Sequence, residues 1–258
     1  LFRFFVTLSM TLKCNFILSI LSSIIFNLSS VAQTWTQVGS DIDGETAYDY
    51  SGVSVSLSSD GSTVAIGAYG NDGNVSAAGH VRIYKNISGT WTQQGSDIDG
   101  EAAGDRSGWS VSLSSDGSTV AIGAPSNRNG YGHVRIYEDS SGTWTQQGSD
   151  IDGEAAGDGS GRSVSLSSDG STVAIGALGN DGNGGQSGHV RIYKNISGTW
   201  TQQGSDIDGE AASDFSGVSV SLSSDGSTVA IGAPTNDGNV SNAGHVRIYK
   251  NISGTWTQ

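Results

Sequence analysis

The residues best suited to chemistry in this chain are carboxylates that recur at a fixed spacing. A segment D-I-D-G-E-x-x-x-D supplies Asp41, Asp43, Glu45 and Asp49, and its second copy supplies Asp97, Asp99, Glu101 and Asp105. The third gives Asp150, Asp152, Glu154 and Asp158, and the fourth Asp206, Asp208, Glu210 and Asp214. Oxygen ligands at positions 1, 3, 5 and 9, with Gly44 permitting a sharp bend, resemble the spacing that wraps a calcium ion. The bidentate acid expected at position 12 is missing, and Gly44 stands at position 4 rather than 6. Aspartates also form turns by bonding their own backbone, and Ile42 between the acids is suited to point inward and hold the loop. Calcium is therefore one reading of these loops, and a structural turn is the other.

Other reactive side chains offer less. His80, His133, His189 and His245 each open an alternating strand pattern. No partner constellation stands beside them at metal or triad spacing, so they are expected to be packed or hydrogen-bonded strand histidines. Serines alternate with apolar residues and belong to strand faces. The single cysteine, Cys14, lies in an amino-terminal leader, which leaves no thiol for disulfide, nucleophile or metal. The copies are too alike to converge unlike groups on one substrate, and the chain is expected not to be an enzyme.

Where the copies differ, they differ together. Tyr48, Gly104, Gly157 and Ser213 share one position, and Tyr50, Arg106, Gly159 and Phe215 share another. Val53, Trp109, Arg162 and Val218 form a third set, and Tyr69, Pro125, Leu178 and Pro234 a fourth. All fall in two connections that emerge at the same edge of a four-stranded meander, and loops on a rigid scaffold usually carry binding. Tyr48, Tyr50, Arg106, Trp109, Arg162 and Phe215 are the expected ligand-facing residues. Drift after duplication also concentrates in loops, and that alternative stands beside the first.

The scaffold follows from repetition. Trp35, Trp91, Trp144, Trp200 and Trp256 are spaced by 56, 53, 56 and 56 residues, a period typical of units that must stack to bury a core. The repeats span about 35–90, 91–143, 144–199 and 200–255. Within one, Ser54–Ser58 alternates strictly, Asp60-Gly61 predicts a two-residue type I′ hairpin, and His80–Tyr84 alternates again before Thr90–Gln93. Four short antiparallel strands, a to d, are expected per repeat. Val55, Leu57, Val64, Ile66, Val81 and Ile83 would form a bulky face, and Ser54, Ser56, Ala65 and Gly67 a small one. A large face on a small face suits radial blades, so the fold class is all-β and the architecture a β-propeller.

The run S-G-V-S-V-S-L-S-S-D-G-S-T-V-A-I-G-A-P, completed by G-H-V-R-I-Y, resembles the FG-GAP repeat of integrin-α-type propellers. The copy that matches best runs from Asp214-Phe215-Ser216-Gly217 through Gly232-Ala233-Pro234 to Gly244-His245-Val246, and the resemblance covers residues 34–258. It implies a propeller of up to seven blades and an adhesive role. The calcium loop of many members does not carry over, because the a–b turn here is only S-S-D-G-S. A fragment of a larger propeller is expected, with a four-bladed ring as the alternative.

Residues 1–32 read as upstream residues and a signal peptide, with a start at Met10, an apolar run from Phe16 to Leu28 and cleavage after Ala32. Export to the cell surface or medium follows, with no membrane insertion of the mature segment. Without that leader, which holds Arg3 and Lys13 and no acid, 10 basic and 25 acidic residues remain, a charge of −15. Such a charge repels nucleic acid. If the host is eukaryotic, Asn74, Asn86, Asn195, Asn239 and Asn251 are glycosylation acceptors. The expected function is a recognition or adhesion module for an extracellular protein or carbohydrate. The alternatives are the propeller portion of a larger secreted hydrolase or lyase, or a passive spacer.

Overall fold

The computed structural model describes residues 34–258. The start at Met10 and the cleavage after Ala32 lie outside the described residues. Two compact units divide the chain at Val38/Gly39; in the first, Thr34–Val38 are exposed and form no strand.

The second unit is four antiparallel sheets. The first contains β1 (Ser54–Leu57), β2 (Thr63–Ala68), β3 (His80–Ile87), β4 (Thr90–Gln93) and β5 (Ile98–Asp99). The second contains β6 (Ser110–Leu113), β7 (Thr119–Ala124), β8 (His133–Asp139), β9 (Trp144–Gln146) and β10 (Ile151–Asp152). The third contains β11 (Ser163–Leu166), β12 (Thr172–Ala177), β13 (His189–Ile196), β14 (Thr199–Gln202) and β15 (Ile207–Asp208). The fourth contains β16 (Ser219–Leu222), β17 (Thr228–Ala233), β18 (His245–Ile252) and β19 (Thr255–Thr257). First strands of neighbouring sheets, β1 with β6, β6 with β11 and β11 with β16, touch one another. Sheets that converge on their first strands are the blades of a propeller.

Register decides the core, and it corrects the expected faces. Gly67 pairs with Val81 and Ala65 with Ile83, while Ser54 pairs with Gly67 and Ser56 with Ala65. Paired residues share a face, so Val81 and Ile83 lie with the small residues, and Arg82 and Tyr84 lie behind them with Val55, Leu57, Val64 and Ile66. Each inter-blade core is built from both kinds of face. Ala65, Val81, Ile83 and Ile98 of the first blade bury against Val111, Leu113, Val120, Ile122 and Tyr137 of the second. The same pattern recurs between the second and third blades and between the third and fourth. At the two ends of the array the matching faces stay open. Val55 and Leu57 are 64% and 57% exposed, and Val246 and Ile248 are 66% and 59% exposed.

Serine hydroxyls stitch the blades along their inner strands. Ser54 Oγ donates to the Gly108 carbonyl, and Ser56 Oγ accepts from the Leu113 amide at 2.9 Å. Ser110, Ser112, Ser163 and Ser165 repeat both bonds. Close approach requires glycine here: a Cβ on Gly67 would stand 2.0 Å from the Gly108 carbonyl oxygen. At the rim, the indoles of Trp144, Trp200 and Trp256 donate to the carbonyls of Gln94, Gln147 and Gln203, one repeat earlier.

Two local expectations change. The a–b hairpin is not type I′, since Gly61 has φ 71° but Asp60 keeps a negative φ. Ser58 Oγ and the Ser62 amide both donate to Asp60 Oδ1, and the Gly61 amide donates to the Ser58 carbonyl. This side-chain network stabilises a longer loop. The other change is the I-D of the acidic segment, which in the second, third and fourth copies forms a short strand instead of a loop. Ile98 pairs with Val81 and Asp99 with His80, and Ile98, Ile151 and Ile207 are buried, whereas Ile42 in the first copy is half-buried and forms no strand.

Candidate functional site

Backbone bonds bring the two variable connections together at one end of the blades. The amides of Gly104, Arg106 and Ser107 donate to the carbonyls of Ser76, Ala77 and Ala78, and Gly100 donates to Gly79. The second, third and fourth acidic loops are thus laid along the b–c loops of the repeats before them. Asp49, Asp105, Asp158 and Asp214, the last acids of the four sets, are buried. Asp49 Oδ2 accepts from the Thr46 amide and Asn71 Nδ2, and Oδ1 accepts from Thr46 Oγ1 at 2.6 Å. Burial alone would raise the Asp49 carboxyl, but these bonds outweigh it and hold the pKa below its ordinary value. Asp158 and Asp214 hold Asn180 and Asn236 in the same way.

On this frame the expected ligand face becomes a continuous side-chain ladder. The Tyr50 ring stacks on Tyr69 at 5.1 Å and 5°, and Tyr69 meets Trp109 at 4.8 Å and 45°. The Arg162 guanidinium sits 4.2 Å over Trp109, and that of Arg106 lies 5.9 Å from Trp109 and 6.0 Å from Tyr69. Trp109 and Arg162 directly precede the inner strands β6 and β11, which places them at the axial end of the loop face. Neither arginine pairs with a carboxylate among the described residues. Partial burial lowers the Arg162 pKa, which leaves it cationic at neutral pH. Tyr48 is exposed, and neither it nor Phe215 joins the ring contacts.

The backbone under these residues is unusual. Tyr50, Arg106 and Phe215 have φ of 56°, 58° and 51°, and Tyr48 has 70°. Left-handed backbone costs a non-glycine residue about 1–2 kcal/mol, and the equivalent of Tyr50 in the third copy is Gly159, φ 63°. The fold is satisfied by glycine there, so the bulky side chains serve something besides the fold.

A second arrangement regroups the acids around the histidines. Glu45, His80 and Asp97 bring one ligand atom each within 4.8 Å of one another, as do Glu101, His133 and Asp150, and Glu154, His189 and Asp206. These groups could hold a metal ion. His80 Nδ1 lies 3.5 Å from Asp97 Oδ2 and 3.9 Å from Glu45 Oε2. Arg82 Nη1 approaches Glu45 Oε1 at 3.7 Å, and Arg82 Nη2 donates to the Asp43 carbonyl. Burial pushes the His133 and His189 pKa values down, with Arg135 and Arg191 adding to the effect against the nearby carboxylates. Burial also raises Asp99, with Asp97 adding to it. Asp152 and Asp208 occupy the strand positions equivalent to Asp99, and their carbonyls accept from Arg191 and Arg247. Asp41 and Asp43 line a surface pocket with Tyr84 and Trp91. The fourth set has Glu210 and His245, at 3.6 Å, without an aspartate among the described residues.

No protein-family profile matches this chain, and no curated protein matches it. Solved structures do. The Kuenenia stuttgartiensis hydrazine synthase matches with a TM-score of 0.53 at 15% identity, over 85% of this chain and 52% of that one. A putative 6-phosphogluconolactonase from Bacteroides uniformis matches with a TM-score of 0.55 at 13% identity, over 79% and 52%. The periplasmic gluconolactonase PpgL of Pseudomonas aeruginosa gives 0.53 and 15%, over 80% and 56%. The chain spans about half the length of these propeller-like structures, and at this identity the likeness is one of fold. It corrects the expectation of a non-enzymatic adhesion module, because the neighbours are named for enzymes, lactonases among them.

Sequence reasoning missed two participants. Tyr69 links Tyr50 to Trp109, and its signal was its variation in step with the other ladder positions. The histidines were set aside because no ligand stands close in sequence; Glu45 lies 35 residues before His80 and Asp97 17 after it. Of the glycosylation acceptors, Asn74 and Asn239 are exposed on b–c loops, while Asn86, Asn195 and Asn251 accept the Gly89, Gly198 and Gly254 amides in c–d turns.

Proposed function

We propose that this chain is the propeller portion of a larger secreted hydrolase acting on a sugar-acid lactone, a ring-shaped sugar derivative that becomes anionic as it is hydrolysed. The observation that carries the reading is the convergence of two carboxylate-free guanidiniums, Arg106 and Arg162, on Trp109 at the axial end of the loop face. In a chain of formal charge −13 such a pair is a local exception, and it suits an anion. The flat rings of Tyr50, Tyr69 and Trp109 offer an apolar surface to the sugar ring. Lactone hydrolysis adds water to the carbonyl carbon and breaks the ring C–O bond, leaving a hydroxyl and a carboxylate. The guanidiniums would stabilise the oxyanion that develops at that carbonyl and then the product carboxylate. The lactonase names among the structural neighbours support this choice of substrate. The leader supports export, and the FG-GAP-like repeat elements support descent of the scaffold from that propeller class.

The test is base consumption by the full-length protein in a pH-stat with glucono-lactone and 6-phosphoglucono-lactone. Removing one anion-stabilising donor typically costs about 100-fold or more in rate, so Arg162→Ala and Arg106→Ala should each fall by that order, and Trp109→Ala should raise KM. Equal rates in wild type, Arg106→Ala and Arg162→Ala would refute the proposal, as would the absence of wild-type hydrolysis above the buffer rate.

A further inference from the structure

We propose that each of the first three blades carries a binding site for a divalent first-row transition metal, zinc in type, formed by Glu45–His80–Asp97, Glu101–His133–Asp150 and Glu154–His189–Asp206. This site is separate from the Tyr–Trp–Arg ladder and does not depend on the hydrolase reading. Its centre is an imidazole whose hydrogen bonding is unmet. His80 is 1% exposed, and neither of its ring nitrogens has a hydrogen-bond partner among the described residues; Nδ1 of His189 is likewise unmatched, while at His133 the unmatched nitrogen is Nε2. Buried polar atoms are nearly always satisfied, so each such atom calls for an explanation.

The distances supply one. In the three sets, histidine Nδ1 lies 3.5–3.6 Å from the aspartate oxygen and 3.9 Å from the glutamate oxygen. That is too long for a hydrogen bond. It lies near the ~3.3–3.4 Å edge of a tetrahedron whose centre is about 2.0–2.1 Å from nitrogen and oxygen ligands. One nitrogen and two carboxylate oxygens, with a fourth position left for water, is a zinc-type donor set; calcium takes six to eight oxygens instead.

The surroundings fit. The far oxygen of Glu45 faces Arg82 at 3.7 Å, and the far oxygen of Asp97 accepts from Gln93 Nε2 at 2.6 Å. Glu101 and Glu154 repeat the first contact with Arg135 and Arg191, and Asp150 and Asp206 repeat the second with Gln146 and Gln202. Such outer partners orient carboxylates for a metal. Asp97 also lines a surface pocket of about 430 Å³ with Asp99, Tyr137 and Trp144, which gives an ion a route from solvent.

Mechanically the ion would tie three separate stretches of one blade: the loop before β1, the start of β3 and the segment leading into β5.

The experiment uses the untagged full chain, zinc as the probe, and equilibrium dialysis with metal analysis alongside calorimetric melting. At least three zinc equivalents are expected, with a rise in melting midpoint of about 5–10 °C for each occupied site at a free zinc concentration of 100 Kd. His189→Gln should lower the count by one. If His189→Gln fails to fold, Glu154→Gln, at an exposed ligand, must still lower the count by one or weaken one equivalent at least tenfold. A count undiminished in both His189→Gln and Glu154→Gln would overturn the proposal. So would no zinc uptake by the wild type, or a response to calcium with none to zinc.

Discussion

Truncating one isoleucine position in two blades tests the face assignment on which the fold rests. Ile192 and Ile248 are the same repeat residue on β13 and β18, but Ile192 is 1% exposed and Ile248 59%. Ile192 lies in the cluster that joins the third blade to the fourth, with Leu222, Val229 and Ile231 across the interface. Isoleucine to alanine removes three carbons, about 2.4 kcal/mol of transfer energy at about 0.8 kcal/mol each. The enclosed cavity adds to this, so Ile192→Ala should cost about 3–4 kcal/mol. At Ile248 only about two-fifths of the side chain is covered and no cavity closes, so the cost should be about 1 kcal/mol or less. Urea unfolding followed by tryptophan fluorescence at several protein concentrations measures both, the difference appearing as a shift in midpoint. In a repeat array the Ile192→Ala loss is also expected to broaden the transition, because it weakens one interface between neighbouring units. Equal losses in the two variants at every concentration would refute the register argument.

Phe215→Gly should stabilise the chain by about 0.5–1 kcal/mol, since the left-handed strain removed exceeds the extra entropy that glycine gives the unfolded state; a loss of stability on thermal melting would contradict this. Gly67→Ala should be among the most damaging single changes, because its Cβ would meet the Gly108 carbonyl oxygen at 2.0 Å; soluble yield and melting midpoint report it. Acid stability should fall in one window. The bond from Ser58 holds Asp60 at about 2, and that from Ser223 holds Asp225 at about 2. Asp116 and Asp169 are lowered by their serine partners as well. Between about pH 4 and pH 2 the unfolded chain binds the more protons, so these groups' stabilisation is present above pH 4 and lost as pH falls through that range. Urea midpoints at pH 5, 3.5 and 2.5 measure the decline, and Asp116→Asn with Asp169→Asn should flatten it.

The blade was legible because alternation has period 2 and is repeated four times, which separates strands from helices without ambiguity. Register was not. Which face Val81 and Ile83 occupy depends on whether Gly67 pairs with Val81 or with its neighbour, and a slip of one residue reverses every side chain. The hairpin was misjudged for a related reason: Asp60-Gly61 satisfies a two-residue turn by type, yet the serines on either side offer its carboxylate better partners. Shared location of the variable loops could be read from strand alternation alone. The histidine sets could not, since their ligands come from before and after the blade and meet only when β5 pairs with the start of β3.

That difference separates scaffold from site. Residues that stitch blades, such as Ser54, Ser56, Gly67 and the rim tryptophans, recur unchanged because every interface makes the same demand on them. A site at the axis faces no such demand, and one copy can differ from the next there without disturbing an interface. The ladder follows this logic: Tyr50, Tyr69, Arg106, Trp109 and Arg162 come from three repeats, and none has an identical counterpart in another copy. Four identical blades could offer only the same group at each position around the axis. Unlike residues at equivalent positions are what bring rings and guanidiniums together there, an asymmetry that the proposed lactone would use. Exchange of Arg106 and Phe215 between their copies should therefore leave the melting midpoint within about 2 °C, since both sites already hold a left-handed non-glycine residue. Lactone hydrolysis should fall by the same order as in Arg106→Ala, because the guanidinium has left Trp109. An exchange variant as active as wild type would mean that the ladder is not read as a unit.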